Sequence, residues 1–159
     1  MALPDPDTPA TRALEGSGLA FELVRIEPPS SVEESAGRQG IDPGHLLRTI
    51  VIRRGAGDYV FVLVPGGVQI DWPKLRTHLG VKRLSLPDQD EANTATGYER
   101  GAITPFGAST AWPVIADASI AGLGRVAIGG GARGANLHLE AGELLAFLGA
   151  EVADVSRTA

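Results

Sequence analysis

The chain has 159 residues, 43% of them hydrophobic and 21% charged, which fits one globular domain able to bury its own core. It has no cysteine, so disulfides, thiolate nucleophiles and cysteine metal ligands are excluded. The net charge of −5 is unevenly spread: residues 1–35 carry seven acids and two bases, residues 36–83 three acids and eight bases, and residues 84–159 nine acids and four bases. A basic middle third in an acidic protein is compatible with a polyanionic partner, as well as with an ordinary solvated surface. No apolar run reaches the roughly 20 residues that span a bilayer. The acidic, proline-rich start lacks the basic and apolar stretches of a secretory signal, so the cytoplasm is the expected location.

Residues 1–8 read as a flexible tail, and residues 9–159 as a single domain. Thr8 can cap a short helix with Pro9 in its first position, ended by Gly16 and Gly18. A strand is expected over residues 20–26, broken by Pro28-Pro29. A second helix follows Ser30 and Ser31, either of which can cap it. Asp42-Pro43 begins a helical turn carrying Leu46 and Leu47.

The strand signal then strengthens. Residues 49–52 and 59–64 are β-branched and aromatic, with a hairpin turn over residues 53–58. Asp71-Trp72-Pro73 opens a helix that Gly80 stops. A short strand is expected over residues 81–86 and a helix over residues 87–95, closed at Gly97. Residues 97–110 form a Gly/Pro loop. Strands are expected at 112–116, 125–128 and 136–139, a helix at 140–148, and an edge strand at 151–155. Helices and strands do not alternate regularly, which points to an α+β fold with a mixed, mostly antiparallel sheet and helices around it.

Nucleophile chemistry has no signature here. There is no Gly-x-Ser-x-Gly elbow, and His45, His78 and His138 are far apart in sequence, without ligand spacing. No metal or other cofactor is expected. Gly101 and Pro105 read as a stiffened loop whose backbone can approach a ligand closely. Gly129, Gly130 and Gly131 offer a second run of backbone N–H groups suited to an anion. Arg133 can bind phosphate or cap a carbonyl, Asp117 can hold a turn, and Tyr98 reads as core. Trp72 and Trp112 read as packing residues.

Four segments in order carry a resemblance. They are Asp42-Pro43 with Leu47-Arg48-Thr49-Ile50-Val51; Lys74-Leu75 with Leu79-Gly80-Val81-Lys82; Thr96-Gly97-Tyr98-x-x-Gly101-x-x-x-Pro105-x-Gly107; and Val114-Ile115-Ala116-Asp117 with Gly129-Gly130-Gly131-x-Arg133-Gly134. Together they resemble the YbaK-type aminoacyl-tRNA deacylases, related to the editing domain inserted in bacterial prolyl-tRNA synthetase. The likeness covers roughly residues 8–150. It implies a twisted mixed sheet with a barrel-like core, flanked by helices.

The resemblance also implies hydrolysis, in trans, of a mischarged tRNA for proline carrying alanine or cysteine. It implies a substrate-assisted water attack with the ribose 2′-hydroxyl as the expected helper, without a covalent nucleophile or metal. On this chain it implies catalytic roles for Arg48, Gly101 and Pro105 and substrate contacts at Thr49, Asp117, Gly129, Gly130, Gly131 and Arg133. The acceptor stem would meet Arg53, Arg54, Lys74, Lys82 and Arg83, and a prolyl-tRNA synthetase is the implied protein partner. One position departs from the pattern: the family's lysine is Arg48 here, which keeps the charge, adds a planar donor fork and removes a side chain able to act as a neutral amine. A non-catalytic module binding tRNA, a nucleotide or a synthetase therefore stands beside the deacylase reading. Hydrolysis of a different small ester or amide is a third reading.

Overall fold

The computed structural model describes residues 3–158. Helix α1 (Pro9–Leu14) begins at a reciprocal cap, in which Thr11 N donates to Thr8 Oγ1 at 3.2 Å and Thr8 N to Thr11 Oγ1 at 2.8 Å. The tail expected over residues 1–8 is docked where it is described. Thr8 is buried and donates to the Gly130 carbonyl at 2.6 Å, the Pro6 carbonyl accepts from Thr11, and the Pro4 carbonyl accepts from Arg25. Residues 1 and 2 lie outside the described residues.

Strand β1 (Glu22–Arg25) and helix α2 (Val32–Gln39), capped by Ser31, follow as expected. The turn after Asp42 is a single 3-10 turn, Pro43–His45. Leu47 already belongs to β2 (Leu47–Gly55), which pairs with β3 (Asp58–Pro65) through a tight turn at Ala56-Gly57. Strand β4 (Val68–Ile70) was not legible in the sequence. Helix α3 (Trp72–Leu79) starts on the Asp71 cap and ends at Gly80, in the left-handed conformation open to glycine. Residues 81–86 do not form the expected strand. One bridge, Ser85 to Arg53, is all that forms before Pro87, which has no N–H to continue a ladder.

Helix α4 (Gln89–Thr96) is capped by Asp88 and ends at Gly97. Strands β5 (Val114–Asp117), β6 (Arg125–Gly129) and β7 (Ala135–Glu140) and helix α5 (Ala141–Leu148) complete the expected order. The last expected strand divides into β8 (Glu151–Ala153) and β9 (Ser156–Thr158), because Val155 turns inward and its carbonyl accepts from Asp71 N.

The strands form three groups, ordered β2-β3-β5-β8, β1-β7-β6 and β4-β9. The joints β3–β5 and β5–β8 are parallel and the other four antiparallel, which gives the expected mixed sheet. The barrel-like closure is not formed. The two larger sheets meet at one parallel bridge, Leu46 to Ala127, and then part. Alternation along β2 and β3 sorts the core into two layers. Leu47, Val51, Tyr59, Phe61 and Leu63 pack against Leu137, Leu144 and α1. Ile52, Val60, Val62 and Val64 pack against Leu75, Ile70 and Val155 on the other face. Each fully buried side chain of this size contributes roughly 1.5–3 kcal/mol.

Candidate functional site

The parting of the sheets creates the site. Strand β2 is the outer strand of its sheet, and beyond Leu46 the neighbouring β6 swings away. A cleft of about 820 Å³ occupies the gap. Leu46 and residues 47–51 of β2 form its floor. The start of α2 (Ser31, Val32) forms one wall, and the other consists of Leu86, Pro87, the start of α4 and the loop at Gly101 and Ile103. Gly129 and residues 132–136 close the far side.

Two side chains on the floor have unmet polar atoms. The pleat sends Thr49 to the face shared with Leu47 and Val51, and Arg48 to the face shared with Ile50 and Ile52. Arg48 Nη2 donates to the Val68 carbonyl, while Arg48 Nε and Thr49 Oγ1 are buried and have no hydrogen-bond partner. Each such group costs roughly 1–3 kcal/mol when unpaired in the interior. A ligand acceptor that reaches either atom would relieve that cost.

Gly101 sits on the opposite wall with φ +88°, a conformation that suits glycine. A Cβ there would lie 3.4 Å from Arg133 Cγ and Cδ, so the Arg133 side chain lies across this glycine. Arg48, Thr49, Gly101, Gly129 and Arg133 are thus gathered round one space from three separate sequence segments. Arg100 joins them at the rim. Sequence reasoning passed over it, although it directly precedes Gly101 in the quoted run.

Other candidates stand elsewhere. Pro105 is buried and lines a separate depression with Trp112 and Phe147. Asp117 is buried away from the cleft lining. Burial opposes its charge, but hydrogen bonds from Ser119, the Val155 N–H and Ser156 prevail and hold its carboxyl below the ordinary range. That is the turn-holding role the sequence allowed. Gly130 and Gly131 are not in the cleft lining and both meet Thr8, the residue that caps α1. A Cβ on Gly131 would lie 3.0 Å from both Thr8 Oγ1 and Tyr98 Cε1. Tyr98 is core, its hydroxyl donating to the Phe106 carbonyl at 2.5 Å and burial pushing its pKa up to about 12.

The five bases expected to meet the tRNA divide into two groups. Arg53 pairs with Glu91, Arg54 with Asp58, and Lys74 with Asp154. Lys82 and Arg83 are exposed and in no ion pair among the described residues, on the segment leading to the Leu86–Pro87 wall. The histidines stay dispersed: His45 meets the Arg125 carbonyl, His78 meets Glu151, and His138 meets Gln39. No group of three His, Asp or Glu able to hold a metal occurs among the described residues. No helix there is long and apolar enough to cross a membrane.

Comparison with known proteins bears on the family and the fold. The model of the aminoacyl-tRNA editing domain matches residues 27–147. The chain is 24% identical over 136 residues to the "Putative Cys-tRNA(Pro)/Cys-tRNA(Cys) deacylase EbsC" of Enterococcus faecalis, covering 86% of this chain and 83% of that one. It is 30% identical over 125 residues to the proline–tRNA ligase of Syntrophotalea carbinolica, covering 77% of this chain but only 20% of the ligase. Among solved structures, "a putative trans-editing enzyme for prolyl tRNA synthetase" superposes with a TM-score of 0.85 at 28% identity, covering 96% of this chain and 99% of that one. The hypothetical protein APE2540 gives a TM-score of 0.85 at 26% identity, covering 94% and 99%. This chain belongs to the aminoacyl-tRNA editing domain family.

Proposed function

We propose that the protein hydrolyses the ester of mischarged tRNA in trans, with a proline tRNA carrying alanine or cysteine as its substrate. The observation that carries this reading is the cleft floor, where the buried Arg48 Nε–H and Thr49 hydroxyl have no partner at the segment that bears the family pattern. An aminoacyl ester is already activated and needs a placed water, donors for the developing oxyanion, and a pocket of the right size. Arg48 supplies a fixed positive charge held by the Val68 carbonyl. Thr49 supplies a hydroxyl, and the backbone around Gly101 orients the substrate so that its own 2′-hydroxyl assists the water. Arg100 and Arg133 at the rim, with Lys82 and Arg83, attract the phosphates of the acceptor end. Such clearance is valuable because a synthetase cannot reject a small or isosteric amino acid by binding alone. The matched segment within proline–tRNA ligases supports work beside such a synthetase, in the cytoplasm.

One observation favours a second reading. The Arg48 guanidinium is partly occupied by Val68, as expected of a side chain that anchors structure in a binding module without turnover. The test is hydrolysis of alanyl-, cysteinyl- and seryl-tRNA for proline by the wild type, Arg48→Ala and Arg48→Lys. Hydrolysis of one substrate, lost in Arg48→Ala, is the expected result. Tight binding of every substrate with no turnover until Arg48→Lys is made would establish the binding module instead.

A further inference from the structure

The floor of the cleft is a strand edge with its hydrogen-bonding groups exposed to the gap. Arg53 exchanges both backbone hydrogen bonds with Ser85, at 2.8 and 3.1 Å, so residue 53 directs its N–H and C=O away from β3. At the other end the Leu46 carbonyl accepts from Gly66 N, so residue 46 directs its carbonyl toward β3. The β2–β3 register is regular from Leu47 to Arg53, so orientation alternates between these ends, and residues 49 and 51 direct their N–H and C=O outward. Among the described residues, the bridges on that outer edge are Leu46 to Ala127 and Arg53 to Ser85. The ladder with Ser85 would next pair Val51 with Pro87, which has no N–H to give. The chain turns there into the Asp88 cap of α4. Pro87 therefore leaves the edge open, and Leu86 beside it stands 60% exposed on the cleft wall.

Resting on the deacylase reading, we infer that this edge recognises the terminal adenine of the tRNA. The Thr49 carbonyl accepts from the adenine N6 amine, the Val51 N–H donates to adenine N1, and Leu86 covers one face of the base. A carbonyl and an N–H two residues apart on one strand edge form an acceptor–donor pair. Adenine presents the complementary donor–acceptor pair on its Watson–Crick edge, and a hypoxanthine base presents the reverse. An apolar side chain left uncovered at a strand edge suits the flat face of a base. Every aminoacyl-tRNA ends in adenosine, so backbone recognition leaves the amino-acid end of the cleft free to set specificity.

The test is titration of the isotope-labelled protein with adenosine, purine riboside and inosine, following backbone amides by NMR. Adenosine is expected to shift the Val51 amide saturably and to bind at least about tenfold more tightly than inosine, with purine riboside between them. Replacing Val51 by its α-hydroxy acid analogue deletes the N–H and should abolish the preference for adenosine over inosine. The same replacement at Arg53, outside the proposed contact, should retain it. Equal binding of adenosine and inosine, or no saturable shift at Val51 at millimolar adenosine, overturns the inference. The two readings fail separately. A protein that deacylates tRNA without preferring adenosine sinks only this inference. One that binds adenosine at Val51 and hydrolyses nothing sinks only the deacylase reading.

Discussion

Replacing Gly131 by alanine separates packing from chemistry in the glycine run. Gly131 has φ +96°, and a residue with a side chain pays roughly 1–2 kcal/mol to stay in that left-handed region. The new methyl would also stand 3.0 Å from Thr8 Oγ1 and Tyr98 Cε1. Neither neighbour yields easily, because Thr8 is tied to the Gly130 carbonyl at 2.6 Å and Tyr98 to the Phe106 carbonyl at 2.5 Å. Overpacking of this kind costs typically about 1–3 kcal/mol. A total near 3 kcal/mol lowers the melting temperature of a domain this size by about 6–12 °C. Thermal unfolding by circular dichroism measures the drop. Ester hydrolysis, measured well below the melting point, should be within about twofold of wild type because Gly131 does not line the cleft. A variant that melts like the wild type but hydrolyses at a small fraction of its rate would refute the packing argument and place Gly131 in the site.

Thr49→Val exchanges an unpartnered buried hydroxyl for a methyl group. The melting temperature is expected to hold or rise slightly, while hydrolysis falls about tenfold; a loss of stability with unchanged rates would assign the hydroxyl to the fold. Lys82→Ala with Arg83→Ala should weaken tRNA binding and flatten its dependence on log salt by about 1.5, and an unchanged slope would remove these bases from the interface. His138 supplies a pH test. Burial, with the Arg125 charge adding to it, pushes its pKa below the ordinary 6.5, while Glu22 pulls the other way. The unfolded chain takes up this proton first, so stability present above pH 6.5 is lost as pH falls toward the folded-state value. His138→Gln should therefore lose less melting temperature than the wild type between pH 7.5 and 5.5, and equal losses would contradict the assignment.

Local signals carried much of this fold. Thr8, Ser31, Asp71 and Asp88 cap their helices, and Gly80, Gly97 and Gly149 end theirs, because capping is chemistry within a few residues. The β4–β9 ribbon was hidden because strands of three residues, paired across some ninety positions, carry almost no periodicity. The open sheet was hidden for a related reason, since the distance at which β6 leaves β2 depends on packing far along the chain. At the site, the sequence named Arg48, Thr49, Gly101, Gly129 and Arg133, which share the cleft. It named Pro105, Asp117, Gly130 and Gly131 as well, and these lie outside the lining because neighbours within a motif diverge once the chain turns. Arg100 and the Leu86–Pro87 wall were missed, as an exposed charge and an apolar rim have no local mark.

The most direct test of the account is single-turnover ester loss from alanyl-tRNA and cysteinyl-tRNA for proline with the protein in excess, beside correctly charged prolyl-tRNA. The account predicts that at least one mischarged ester disappears on the order of a hundredfold faster than in buffer alone, while the prolyl ester is spared. Loss of both mischarged esters at the spontaneous rate, with the tRNA demonstrably bound, would contradict it.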